Sequence, residues 1–521
     1  MRRVIWFISS LLYLSAQVLP DTIEAGRWEL QLEDQAEQAP EGIDWTQLAD
    51  IYEDLVRRPV DLNRASDEAL LRVPGMTPQL VKALRAHQAK YGPLLSIYEL
   101  QAIPGFTEAV FRTIRPYITV RPATQVDIGE GVRQFPRLSQ VKEAARFTFI
   151  QRAQRTWRAT QEGAIWRPET LRNAVGDPYR LYTRLWLQAN PYLSIALIGE
   201  KDQYEPLLWS PLQRYYGFDF LSGHVAFGQL GEVERLILGD YILQVGQGLV
   251  FARGLGFGKG GDPILTLKQP SYGLVPYTSV NEYQFWRGVA TTLRLSERWS
   301  LTGMLSRMHQ SGTVGSTVSD TTEEAETFVQ ALITDGLHRT PSELARRGTL
   351  RHDAAGGVLT WRKKWHTAGA TFLYQRFEPP LNLAGSQPYK YFGFVGGENL
   401  VASAFWDFTV GNLNLFGEAA QSRSGGRAIT ASVIAPLHPT LDIALQVRHF
   451  DPNFHSFYAY TFAERPFSIQ NEQGIYLGVR VRPTSRWEIS AFHDLYRFPW
   501  YRYRASAPTE GHESLLQITY T

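Results

Sequence analysis

From about residue 140 to the end of the chain the apolar residues recur at every second position. That period constrains the fold more than any other feature. In "LDIALQVRH", Leu441, Ile443, Leu445 and Val447 share one face, Asp442, Gln446 and Arg448 the other, and Ala444 sits between them. "IYLGVRVR" sets Ile475, Leu477, Val479 and Val481 against Tyr476, Arg480 and Arg482, and "RLYTRLWLQA" sets Leu181, Leu185 and Leu187 against Arg180, Arg184 and Gln188. Strict alternation makes strands with one face on something apolar and the other on something polar.

A soluble sandwich alternates as well. Three features favour a membrane barrel. The segments run about 8 to 12 residues, which fits a tilted strand crossing a bilayer. Aromatic residues sit near many of their ends, among them Tyr179, Tyr192, Trp286, Trp299, Trp361, Trp365, Phe405, Trp406 and Trp487, where interfacial girdles belong. The connections alternate between tight ("SERW", "RKKWH", "GN", "LHPT", "PTSRW") and long. Tight turns on one side and long loops on the other are the barrel pattern. The expected fold is mainly β with a small all-α domain: a transmembrane antiparallel barrel of roughly 16 strands over residues 141–521. The chain ends on "LLQITYT", with Tyr520 next to last.

The N-terminus carries a different signal. "MRRVIWFISSLLYLSAQ" places Arg2 and Arg3 before an apolar core and a small-residue pair, the order of a signal peptide over residues 1–16. The core is shorter than the roughly 20 residues a spanning helix needs. Residues 17–56 form an acidic leader with a short helical pattern around Leu48, Ile51, Tyr52 and Leu55. The chain has no cysteine, which excludes disulfides, thiolate metal sites and a cysteine nucleophile. Its net charge of +2 argues against a chain coated with nucleic acid along its length.

Residues 57–122 change period from 2 to 3.6. "TPQLVKALRAHQAKYG" begins on Thr-Pro and stops on Gly92, a good helix start and end. "NRASDEALLRV" and "TEAVFRTI" supply further helices, and "SIYELQAI" opens on Ser96 with Glu99 three residues on, a capping box. Two turns repeat the same order about thirty residues apart, "PGMT" and "PGFT". Such a turn exposes backbone N–H groups at a helix start, and glycine lets a phosphate approach. The candidate nucleic-acid contacts are therefore Gly75, Met76, Thr77, Lys82, Arg85, Gly105, Phe106 and Thr107. A linker over 123–140 joins the module to the barrel.

The run "VDLNRASDEALLRVPGMTPQLVKALRAHQAKYGPLLSIYELQAIPGFTEAVFRTIRPYITV" resembles a tandem helix-hairpin-helix domain of the ComEA competence-receptor type. The likeness rests on the "VDLNRAS" opening, both Pro-Gly hairpins, "YGP", "S-x-x-E-L" and the closing "PYITV". It implies non-specific binding of double-stranded DNA by its phosphates, outside the cytoplasm, as in natural DNA uptake or transport, with the barrel as a conduit or an anchor. This chain departs from the family's Gly-apolar-Gly hairpin, having Thr77 and Thr107 at the second glycine. Glu108 directly after the second hairpin would repel a phosphate. The alternative is a structural or secretion-associated barrel whose module docks a periplasmic protein. The whole chain, with its Gly-rich "GDYILQVGQGLVFARGLGFGKG" and its "GLHRTPSELARRG", also resembles Bacteroidetes-type helix-hairpin-helix outer-membrane proteins.

No enzyme, cofactor or metal is expected. "GLGFGKG" lacks the spacing of a phosphate loop and does not open a helix. The 11 histidines show no paired metal spacing. "GHES" is not a hydrolase elbow. The strand arginines Arg180, Arg184, Arg287, Arg448, Arg480 and Arg482 either attract an anionic polymer or pair with carboxylates such as Asp442 and Glu488; pairing is the favoured reading. "TFVQALITDGLHRTPSELARR" reads as a partly helical surface loop. The expected setting is the outer membrane, with lipid around the barrel and the module in the periplasm.

Overall fold

The computed structural model describes residues 73–120 of the helical module with parts of 55–70, and most of 145–520 apart from short gaps and residues 156–172. The signal peptide, nearly all of the acidic leader and the 123–140 linker lie outside the described residues.

The module is small and helical. Helix α1 runs Pro78–Tyr91 and helix α2 Glu108–Ile114, the latter running into a 3-10 turn at Arg115–Tyr117. Between them lies a 3-10 helix, Ile97–Ala102, closed by the expected Ser96–Glu99 capping box. The two ends of the module meet: Val60–Asp61 pairs in parallel with Ile118–Thr119. Asn63 explains the "LN" of the opening. Its amide donates to the Leu94 carbonyl at 2.8 Å and its side-chain oxygen accepts from the Leu94 N–H at 2.8 Å. Leu80, Val81, Leu84, Leu100, Phe111, Ile114 and Tyr117 are buried between these pieces.

Among the described residues, sixteen strands make the wall of the barrel. They are β1 Arg146–Gln154, β2 Arg180–Ala189, β3 Leu193–Lys201, β4 Phe220–Leu230, β5 Val233–Gln244, β6 Trp286–Arg294, β7 Trp299–Gln310 and β8 Leu350–Lys363. They continue with β9 His366–Asn382, β10 Val395–Val410, β11 Leu413–Ser422, β12 Arg427–His438, β13 Leu441–Phe450, β14 Glu472–Thr484, β15 Trp487–Phe498 and β16 Thr509–Tyr520. Each pairs antiparallel with the next, and the sheet closes into a barrel where β16 meets β1. Three further strands bring the sheet to 19: Gly273–Pro276 adds to β5, and the hairpin Gly312–Val318/Ala325–Leu332 extends beyond β7 and β8. The seam is the least buried part of the wall, with β16 exposed along nearly its whole length on both faces.

The connections sort by end. Seven of two to four residues, such as 231–232, 364–365 and 411–412, make up one end. The other end carries the long connections 155–179, 202–219, 245–285, 311–349 and 451–471, with 383–394, 499–508 and one four-residue turn, 423–426. The sequence "TFVQAL", expected to be partly helical, is a strand; its β-branched and aromatic residues pair with Gly312–Val318, and the helix is confined to α3, Pro341–Leu344.

The outward face carries Leu197, Leu238, Leu305, Phe372, Leu400, Ile429, Leu445, Val447, Ile475 and Leu477, all exposed. The inward face is filled. Residues 245–252 enter the ring and bury Leu249, Val250 and Phe251 against Met304, Ala354, Leu373, Val401, Phe405 and Phe450, together with Phe454 and Tyr458 from the 451–471 connection. The two inserted segments hold each other: the Ala252 N–H donates to the Tyr458 carbonyl at 3.0 Å and the Tyr460 N–H to the Gly248 carbonyl at 2.9 Å.

Candidate nucleic-acid interface

The two hairpins are built alike. Gly75 has φ +84° and Gly105 φ +94°, backbone that side chains other than glycine rarely adopt. Each presses on the other half of the module. A Cβ at Gly75 would lie 3.0 Å from the Thr113 methyl on α2, and one at Gly105 would lie 3.1 Å from Leu80 on α1. The glycines therefore serve the packing of the duplicated unit as well as any ligand.

Thr77 and Thr107 are the N-caps. Their hydroxyls accept from the Leu80 N–H at 3.2 Å and the Val110 N–H at 3.4 Å. A cap of this kind satisfies a helix-start amide that a phosphate would otherwise take. Pro78 has no N–H to offer, which leaves Gln79 as the donor in the first turn of α1.

Three of the sequence-derived contacts change role. Met76 and Phe106 are 7% and 3% exposed, and their N–H groups donate to the Val73 and Ile103 carbonyls within the turns. They are core residues because an apolar side chain at that turn position drops between the helices. Arg85 is a brace: it donates to the Leu62 carbonyl at 3.3 Å, to Gln88 at 2.8 Å, and to the Ala65 carbonyl. Its guanidinium orders the opening loop, because several carbonyls there converge on α1. Lys82 reaches the carbonyl of Gly411, in the tight turn between β10 and β11, at 3.1 Å. That contact sets α1 at the tight-turn end of the barrel. Glu108 is not an isolated negative charge, since Arg112 pairs with it one turn on.

In the barrel the pairing of the strand arginines holds. Arg448 lies between Glu472 at 2.6 Å and Asp494 at 2.9 Å, Arg287 meets Asp240 at 2.7 Å, Arg480 meets Asp442 at 2.9 Å, and Arg482 meets Glu488 at 3.0 Å. Arg180 pairs with Glu200, and Arg184 stacks over Trp186 with 4.0 Å from guanidinium carbon to ring centre. Of "GLGFGKG" only Lys259 and Gly260 are among the described residues, and Lys259 pairs with Asp494, Glu464 and Glu513.

What the sequence reading missed is the use of its two unexplained motifs. In "VGQGLVF", Gly246 and Gly248 have φ +65° and +84°, and the carboxylate of Glu418 on β11 accepts the N–H groups of Gln247 at 2.8 Å and Leu249 at 3.1 Å. "GLHRTPSELARRG" lies in the 311–349 connection at the long-loop end. Its Thr340–Glu343 capping box starts α3, Arg339 pairs with Glu343, and Arg347 pairs with Asp219 at 3.0 Å.

The helix-hairpin-helix motif family matches residues 56–119. None of the curated proteins compared matches the chain. Among solved structures, the anion-selective porin from Comamonas acidovorans is 10% identical at a TM-score of 0.31, covering 66% of this chain and 87% of that one. Pseudomonas aeruginosa OpdQ is 11% identical at 0.33, covering 72% and 86%. The loop L8 deletion mutant of OmpT, an outer membrane protein of Vibrio cholerae, is 9% identical at 0.30, covering 73% and 100%. At these scores the barrel rests on its own strand pairing. The chain is thus a helix-hairpin-helix module fused to a large antiparallel β-barrel.

Proposed function

We propose that this protein is an outer-membrane anchor that presents a duplex-DNA-binding module to the periplasm. The exposed apolar residues of the outer wall support the membrane setting, since a band of this kind is stable only against lipid. Tight turns are the periplasmic end of such barrels, and Lys82 meets one of those turns. The observation that carries the DNA reading is the duplicated hairpin with its matched left-handed glycines within a helix-hairpin-helix motif. Binding runs through phosphates and is independent of sequence. The packed interior favours an anchor over a conduit. The role is binding rather than catalysis.

The Thr caps and the engaged Arg85 favour a second reading, in which the module docks a periplasmic protein. Duplex binding by the full chain in detergent, followed across a salt series, separates the two. DNA binding predicts an affinity that falls linearly on a log–log plot with salt, and a slope reduced by about 1 in Lys82→Ala if that lysine turns from Gly411 to a phosphate. No affinity at low salt ends the DNA reading. Protease cleavage of the module only after the outer membrane is permeabilised checks the orientation.

A further inference from the structure

At the long-loop end three side chains from two separate connections converge away from solvent. Glu205 and Asp219 lie in 202–219, and His338 in 311–349; they are 1%, 4% and 2% exposed. Their donor atoms all lie within 4.8 Å of one another. We propose that Glu205, Asp219 and His338 bind one divalent transition-metal ion of the zinc class, which ties these two connections together.

The charge balance calls for a cation. Glu282 joins the two carboxylates, lying so close to Gly336 that a Cβ there would be 2.9 Å from its carboxyl carbon. Burial raises the Glu282 carboxyl well above the usual carboxylate range, and the charges of Asp219 and Glu205 raise it further. Arg347 pairs with Asp219 at 3.0 Å, while Arg180, Arg339 and Arg287, which lie within electrostatic reach of Glu205 and Glu282, are paired to carboxylates of their own, Glu200, Glu343 and Asp240. A buried surplus of negative charge is costly unless a cation or protons compensate it.

The donor set fits this class of ion. Imidazole with carboxylates suits zinc and its neighbours, whereas calcium takes oxygen ligands. His338 Nδ1 faces Asp219 Oδ2 at 2.6 Å, and Nε2 lies 2.9 Å from the Ser311 hydroxyl. An ion on Nδ1 leaves Nε2–H to donate to Ser311, the outer partner that a metal-bound histidine normally has. Glu205 is oriented by the N–H groups of His338 and Asp202, each at 2.8 Å. Tyr215 lies beside the group, its buried hydroxyl next to the Asp219 carboxylate. Bonds of about 2 Å set tetrahedral ligand atoms roughly 3.3 Å apart, so the wider pairs need close by at most about 1.5 Å, and the His338–Asp219 pair, at 2.6 Å, opens by about 0.7 Å to admit the ion. The order Ser311, His338, Asp219 also has the spacing of a nucleophile relay, but the Gly348 N–H donates onto the Ser311 hydroxyl at 3.4 Å and the ring is buried.

The site stands apart from the membrane and DNA readings, and its failure leaves them untouched. Full-length protein in detergent is stripped with chelator, dialysed against micromolar Zn2+, Mn2+ or Ca2+, and counted by elemental analysis. Heat-modifiable electrophoretic mobility reports that the barrel is folded. The expected result is one zinc or manganese per chain, undisturbed by equimolar calcium, and a cobalt derivative with visible bands of nitrogen ligation. Glu205→Gln should weaken zinc retention on the order of tenfold or more, and Tyr215→Phe, which removes one hydroxyl, should weaken it less. A folded wild-type chain that retains neither zinc nor manganese overturns the site, as does a folded E205Q chain that retains zinc like wild type.

Discussion

The module and the barrel both rely on left-handed glycines at close contacts, but over different distances along the chain. Gly75 packs on Thr113 and Gly105 on Leu80, each within forty residues in sequence. In the barrel, Gly246 packs against Glu418, and a Cβ at Gly248 would lie 2.0 Å from the Tyr460 carbonyl oxygen. The first kind of contact is local and repeats, so it leaves a motif. The second joins an inserted loop to a strand six strands further around the wall, and leaves only a Gly-rich run with no visible partner. The module is therefore held by a duplicated short-range unit, whereas the barrel interior is held by a few long-range polar anchors.

The largest effect should come from breaking such an anchor. Glu418→Ala removes the acceptor for the Gln247 and Leu249 N–H groups and for the Ser403 hydroxyl at 2.6 Å. Leaving buried donors unpaired should cost about 3 kcal/mol or more, read as a shift in urea unfolding of the folded barrel. The same variant should raise conductance in a planar bilayer if the 245–252 segment then leaves the lumen. An unchanged midpoint and conductance would mean that the apolar contacts of Leu249, Val250 and Phe251 hold the insert alone.

Within the module the corresponding break is Gly105→Val. It forces a branched side chain into φ +94° and against Leu80, and should destabilise the module by about 2 kcal/mol. Hydrogen exchange of the α1 and α2 amides checks it, and the barrel's unfolding midpoint should stay put. Arg85→Ala comes next, at about 1.5 kcal/mol, because it withdraws a charged donor from the Leu62 and Ala65 carbonyls. It sharpens the comparison, since a brace and a phosphate contact differ in readout. A brace leaves the salt slope of duplex binding unchanged, and a phosphate contact lowers it by about 1.

The same contrast explains what was legible. Strand alternation in "LDIALQVRH" and "IYLGVRVR" gave the wall, because burial on one face writes period 2 directly into sequence. The Ser96–Glu99 box and the Thr-Pro start gave helix ends, which are local chemistry. The pairing of Arg480 and Arg482 with Asp442 and Glu488 was foreseeable, because facing and cross-turn strand neighbours alternate in charge there. The insertion of 245–252 was hidden, since an apolar loop entering a barrel reads the same as an apolar loop outside one. Met76 and Phe106 were misassigned for a related reason: the apolar residue inside a Pro-Gly turn presents its amide in sequence, but its side chain decides where the turn faces. His338 gave no signal at all, because its partners Asp219 and Ser311 are 119 and 27 residues away.

The smallest stability effect carries the most information about function. Thr77→Gly with Thr107→Gly restores the Gly-apolar-Gly hairpin at both sites. Glycine at an N-cap costs only a few tenths of a kcal/mol relative to threonine, so each helix should persist. The change frees the Leu80 and Val110 N–H groups from their hydroxyl caps and removes a β-branched side chain from the approach path. If the hairpins hold phosphates, duplex affinity at low salt should rise several-fold, because two helix-start amides become available at both turns together. If the module docks a protein, duplex affinity should not move, because nothing in that surface uses those amides. An affinity that falls would assign the threonine hydroxyls themselves to the phosphate. The capped turns would then be a variant grip, and the departure from the family hairpin would mark an adaptation for binding.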